Sequence, residues 1–116
     1  MSGAGYLPAL TVPLRLEAPE RVPDQMGGAF ISWRALGVLY ADMRAAPSRE
    51  SAGQSGPEVR VMWRILTRAF PPSDPRRPRA GQRFCLGARV FRIEAVAESA
   101  GGGRILQTLA SEEFEP

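Results

Sequence analysis

The chain has no histidine, no lysine and a single cysteine among its 116 residues. Without histidine it lacks the side chain that most often serves as general base or metal ligand near neutral pH. One cysteine, Cys85, permits neither an internal disulfide nor a paired zinc site. It sits between Phe84 and Leu86, so it reads as a small buried hydrophobe. No P-loop and no GxGxxG is present, and "SAGGG" at 99–103 is a turn with no following helix to supply a dipole. Glu50 and Glu58 come nearest to a catalytic carboxylate pair. They lie in a glycine- and serine-rich stretch with nothing to raise one pKa. No catalytic residue, metal ligand or cofactor is therefore expected. No apolar run reaches membrane-spanning length, and the N-terminus lacks a signal peptide's basic-then-apolar pattern. The expectation is a soluble protein, made in the cytosol, with no membrane partner.

What is present points to one domain over residues 1–116, with 44% apolar residues and enough length to bury a core. Eleven prolines and twelve glycines favour short extended elements and turns over helices. All fifteen basic residues are arginine, which makes planar bidentate contacts with carboxylate or phosphate. The absence of lysine is equally what a GC-rich genome would produce. The charge is uneven: "RVMWRILTRAFPPSDPRRPRAGQR", residues 60–83, holds seven arginines against Asp74 alone, while Glu112, Glu113 and Glu115 close the chain. A solvated face, a grip on nucleic acid and a dock for an acidic protein surface would all use such a stretch.

Periodicity gives the elements. In "LTVPLRLEAP", Leu10, Val12, Leu14 and Leu16 share one face, and Pro13 limits the strand to one neighbour at that point. "ERVPDQMGGAFISW" reads as a hairpin turning through Asp24, Gly27 and Gly28. "WRALGVLYADMRA" continues in extended form with a kink near Gly37, although its apolar cluster also fits a helix. Residues 46–58 are polar and small, the composition of a mobile loop. "VRVMWRILTRA" alternates Val59, Val61, Trp63, Ile65 and Thr67 against Arg60, Arg64 and Arg68; the arginines also fit i, i+4 spacing, and β-branched enrichment favours the strand. Residues 71–81 form a Pro/Arg-rich loop. "QRFCLGARVFRIEAVAE" reads as two strands meeting at Gly87, with Phe91, Ile93 and Ala95 inward, and "RILQTLAS" as the last strand before an acidic tail at 111–116. The fold class is all-β: a small barrel of about six or seven short antiparallel strands with one long polar loop. A nucleic-acid-binding barrel is one reading of this pattern. Its weakness is that Trp63, Phe84 and Phe91 fall on core faces, leaving Phe70 beside Pro71 as the candidate stacking platform.

The order of the pieces resembles the head-closure (stopper, head–tail joining) proteins of tailed phages and gene transfer agents. The matching positions are Asp24, Gly27, Gly28 and Trp33, then Ala41, the pair Arg49-Glu50, and the strand "VRVMWRI". Gly81 and Arg83 follow, leading into Gly87, Arg89, Val90, Phe91, Ile93, Ala95 and Val96. The likeness runs over residues 10–112. The Pro/Arg-rich loop and the acidic tail depart from the family pattern and inherit no role from it.

The resemblance implies a structural virion component with no enzymatic activity, assembled in the bacterial cytoplasm and placed at the neck. It would form a homo-oligomeric ring of six or twelve copies, with portal and adaptor proteins above and tail terminator or tail tube proteins below. Packaged double-stranded DNA would occupy the channel. The polar loop would face that channel with Ser48, Arg49, Glu50, Ser51 and Gln54. From the charge asymmetry, Arg60, Arg64 and Arg68 are expected to dock the Glu112, Glu113 and Phe114 segment of a neighbouring copy. Docking is favoured because a lumen lined with all seven arginines would retain sliding DNA too strongly; a weaker version of the DNA reading sets Arg76, Arg77 and Arg79 against DNA at the exit.

Overall fold

The computed structural model of the chain describes residues 8–53, 56–99 and 102–114, with the side chains of 48–59 outside the description. Six strands follow in order: β1 (Val12–Pro23), β2 (Ala29–Gly53), β3 (Gly56–Arg68), β4 (Arg83–Leu86), β5 (Arg89–Glu98) and β6 (Ile105–Glu113). All neighbours are antiparallel, and the order β1-β2-β3-β6-β5-β4 closes into a barrel through the short β4–β1 pairing. The barrel is therefore all-β as expected, but its strands are not uniformly short. β2 alone spans 25 residues.

Alternating apolar residues fill the interior. Leu14, Leu16, Leu39, Ala41, Ile65, Phe84, Phe91, Ile93 and Ala110 form one buried cluster. Trp63 packs against it from one end, edge-on to Phe91 with ring centroids 6.1 Å apart. Pro13 faces Tyr40 of β2 and has no partner on its other side, because β4 reaches only residues 15–17. The missing N–H of proline costs nothing there.

Two bulges set the geometry. Opposite the Leu16/Glu17 step, Leu36 is an extra residue in β2, next to Gly37 at φ 154°. The expected kink near Gly37 is this bulge. In β5 the register shifts between Ile93 and Ala95, which reverses the alternation. Ala95, expected inward, is exposed, and Val96 packs on the core instead.

The barrel does not contain the whole of its strands. Beyond Glu17, β1 pairs only with β2, and before Ala41, β2 pairs only with β1. Residues 18–35 thus form a two-stranded arm. A second ribbon leaves where β2 and β3 pair past the reach of β6, from Arg49↔Arg60 to Gly53↔Gly56. These arms explain the 60 Å long axis and the 16.0 Å radius of gyration, against roughly 13 Å for a compact chain of this length. The stretch 46–58, read from composition as a loop, is corrected here. Most of it is paired strand, and Gln54 lies outside the described residues.

Candidate functional site

Among the described residues no group of three or more His, Cys, Asp or Glu could hold a metal ion. No helix is long and apolar enough to cross a membrane. What the barrel presents is three polar clusters, one stretch of basic outer face and an exposed apolar arm.

The first cluster lies on the outer face where β1 meets β4. Glu17 is buried to 7% exposure. It accepts from Arg83 Nε at 2.7 Å, from Arg15 Nε at 2.7 Å and from Cys85 Sγ at 3.4 Å. The pairings Arg15↔Cys85 and Glu17↔Arg83 bring these groups together. Burial pushes the Glu17 carboxyl up, and the hydrogen bonds from Arg15, Arg83 and Cys85 outweigh it, holding the group below its ordinary value. Burial, reinforced by the Glu17 charge, pushes the Cys85 thiol up, so the cysteine is the inert packing residue expected of it. Arg83 also lies 4.0 Å above the Trp33 ring. The cluster therefore ties the root of the arm to the barrel.

The second cluster caps one mouth of the barrel. Glu112 lies on the face of β6 that carries Leu106, Thr108 and Ala110, and it meets Arg89 and the Trp63 indole. Arg89 covers the Phe91 ring at 5.0 Å. The acidic tail expected at 111–116 is thus corrected in its first part. Residues 111–113 are strand, and the Glu112 carboxylate is bound within its own chain.

The third cluster organises the Pro/Arg-rich loop. Asp74 accepts from the Arg76 backbone N at 2.8 Å and from its guanidinium at 3.1 and 2.8 Å. The Arg76 side chain is the main cause of an Asp74 pKa pulled down to about 2. Arg77 Nη1 donates to the Phe70 carbonyl at 2.8 Å, and Arg79 Nη2 donates to the Pro72 carbonyl. Pro78 is fully buried. Arg76, Arg77 and Arg79, singled out for DNA, are all folded back onto their own loop. Phe70, the candidate stacking platform, packs against the core and lies under Arg76 at 4.5 Å. A single-strand binder needs open aromatic faces; Phe70 does not offer one, and the exposed aromatics among the described residues are Phe30, Tyr40 and Phe114.

The arginine face of β3 is present, with Arg60, Arg64 and Arg68 exposed and Met62 and Leu66 buried between them. Its three members differ. Arg60 stands 3.6 Å from Glu94, which also accepts from Ser111 Oγ at 2.8 Å. Arg92 stands 3.6 Å from Glu113. Arg64 faces Arg44 across the β2–β3 register, a like-charge pairing relieved on the β2 side by Asp42, whose Oδ2 accepts from Arg44 Nη2 at 3.0 Å. Arg64 and Arg68 have no carboxylate in reach among the described residues. Phe114, past the end of β6, is 66% exposed.

The arm is the feature that sequence reasoning underweighted. Met26, Phe30 and Ile31 stand exposed at its tip, while Val38 and Tyr40 are exposed at its root. Pro19 and Pro23 were the available signal. A strand carrying two such prolines has few third neighbours.

A family model described as phage head completion protein matches residues 7–113. The chain belongs to that family. Head completion is structural work on the virion. A solved structure of the virion of a native gene transfer agent particle contains a similar chain. It is 42% identical, with a TM-score of 0.78, covering 93% of this chain and 98% of that one. No curated protein matches. The head completion barrel keeps the motif positions at structural points. Asp24 builds the arm's turn, Gly87 with φ 58° makes the two-residue β4–β5 turn, and Phe91 and Ile93 fill the core.

Proposed function

We propose that this head completion protein is a stopper. It forms a ring at the neck of a phage or gene-transfer-agent particle, below the portal and adaptor proteins. There it retains packaged double-stranded DNA and presents a platform to the tail proteins. The observation that carries this reading is the near-complete likeness, at 42% identity, to a chain of a gene transfer agent virion. The shape supports it: a closed barrel gives each copy a rigid body, and two ribbons extending past that body give it reach toward neighbours. The β2–β3 ribbon, with Ser48, Arg49, Glu50 and Ser51, is the part assigned to the channel, as is Gln54, which lies outside the described residues. A paired ribbon suits a plug better than a slack loop, because pairing restricts the backbone before any load is applied.

The roles of the arginines divide by their partners. Arg76, Arg77 and Arg79 shape their loop, and Arg60 balances Glu94. Arg64 and Arg68 keep charge to offer, and they are the members of the face assigned to docking, with Phe114 as the apolar element of the opposing segment. Electron microscopy of purified particles, with the chain located by density or by a tag at its N-terminus, tests the reading. Copies arranged as a ring at the neck are expected, and particles made without the chain should lose DNA and lack tails. Its absence from the neck of DNA-filled, tailed particles would end the proposal.

A further inference from the structure

We propose that the tip of the β1–β2 arm of one subunit seats in an apolar groove on a second copy of this chain, formed by Leu10, Val38, Tyr40 and Phe70 with Arg68 and Arg76 at the rim. The inference rests on the ring reading above. An isolated two-stranded hairpin is marginally stable in water, yet this one ends in Met26 at 89% exposure with Phe30 and Ile31 beside it. Single exposed apolar residues are ordinary, but Met26 at the turn with Phe30 and Ile31 on the two faces of the strand that follows makes the tip apolar on both sides. The tip is also preformed. Asp24 Oδ1 accepts from Met26 N at 2.8 Å and Gly28 N at 2.9 Å, Asp24 N donates to Gly28 O at 3.1 Å, and Gly27 takes φ 87°. A preformed knob gives up little further freedom on docking.

The groove lies where β3 leaves β2 after Arg68, between the exposed Val38 and Tyr40 and the Pro/Arg-rich loop. Its volume is about 390 Å³. Because an apolar cavity of about 150 Å³ accepts a benzene ring, the groove has room for two side chains of that size. The tip cannot reach its own groove. Phe30 and Tyr40 are ten residues apart on one strand, roughly 33 Å at 3.3 Å per residue. Knob and groove must therefore meet between copies. Because they are different surfaces of one chain, the contact is head-to-tail, the kind that closes into a ring.

Charge selects the same occupant. Among the described residues Asp24 Oδ2 has no hydrogen-bond donor, and Arg68 at the groove rim has no carboxylate. Elsewhere on the arm Arg34 Nε holds Glu20 at 3.0 Å, and Arg21 adds a positive charge on the β1 side, opposite Ile31. A docked tip would bring the open carboxylate to the open guanidinium.

Cross-linking in assembled particles tests this. Met26→Cys and Tyr40→Cys are placed in one chain; both side chains are exposed, and thermal melting checks the fold. Cys85 is buried and inert to the reagent. Treatment with a short bis-maleimide should give a ladder of products in steps of one 12.6 kDa chain, and either variant alone should stay monomeric. Particles carrying a ring of the variant chain but giving no ladder overturn the contact and leave the ring intact. A product of another mass puts a different protein in the groove and overturns the second-copy assignment. Absence of the chain from the neck overturns both readings.

Discussion

Glu112 and Arg89 hold each other through two parallel contacts, Nε to Oε2 at 2.8 Å and Nη2 to Oε1 at 3.0 Å, and Trp63 Nε1 meets the same Oε1 at 3.0 Å. Arg89 is the main reason that the Glu112 carboxyl lies below its ordinary range, with burial opposing and the Trp63 indole assisting. The arrangement closes a barrel mouth with a charge-assisted fork rather than with a side chain inserted from a loop. Its cost is local: removing the carboxylate leaves a guanidinium and an indole N–H without their acceptor.

Glu112→Ala is accordingly expected to destabilise the isolated chain by about 1–3 kcal/mol, the usual range for hydrogen bonds to a charged group. Glu113→Ala, whose carboxylate is half-exposed and 3.6 Å from Arg92, should cost less than about 0.5 kcal/mol. Urea unfolding of the two variants measures the difference directly. Equal losses would mean that Glu112 belongs to a solvated tail after all.

Acid should weaken the fold through several carboxylates at once. Glu17, Asp24, Asp74 and Glu112 are all held below their ordinary values, Asp74 near 2. A depressed folded pKa means that the unfolded chain binds the proton first. The stabilisation is therefore complete above the unfolded values of about 4 and is lost as pH falls toward 2. The urea midpoint should drop steadily from pH 5 to pH 2.5. Glu17→Gln should lower stability at pH 7 and flatten that acid limb, whereas an acid limb of unchanged steepness would show that Glu17 plays no part in it.

The strands were legible wherever a residue's fate is decided by its own face. Leu14, Leu16, Phe84 and Phe91 alternate into the core as their spacing requires, and Asp24 with Gly27 announces its turn. The misreadings share a cause, which is a partner distant in the chain. The bulge at Glu94 carries no glycine or proline and exists to fit β5 to β6, so alternation placed Ala95 inside. Residues 46–58 look like a loop because their small polar residues carry no apolar period, while backbone pairing needs none. Glu112 read as a tail because Arg89 lies 23 residues earlier. Among the candidate site residues, the arginine face of β3 was visible in the sequence. Which arginines already have carboxylates was not.

That division of arginines predicts how the isolated protein meets DNA. Deleting one phosphate-binding cation should reduce the slope of log affinity against log salt by roughly one. Arg64→Gln with Arg68→Gln removes two cations that have no carboxylate in reach among the described residues, and should lower the slope by about two. Removing Arg77 and Arg79 should instead act on stability, because both hold carbonyls of their own loop. Fluorescence anisotropy with duplex DNA across a salt series, alongside thermal melts, separates the pairs. A larger slope change for Arg77 and Arg79 would return the DNA role to that loop.

The arm should behave as a unit that loosens without unfolding the barrel. Its tip has no third strand, and its order comes from Asp24 bridging the amides of Met26 and Gly28. Asp24→Ala removes the one oxygen that accepts from both, so the exchange of those two amides should quicken by about an order of magnitude or more. Barrel amides such as those of Ile65 and Phe91 should keep their protection, because the substituted residue touches none of the core. Gly27→Ala should act alike through strain, since φ 87° disfavours any Cβ. If either substitution lowered barrel protection as much as tip protection, arm and barrel would form one cooperative unit, and the arm could not adjust to a neighbour without cost to its own fold.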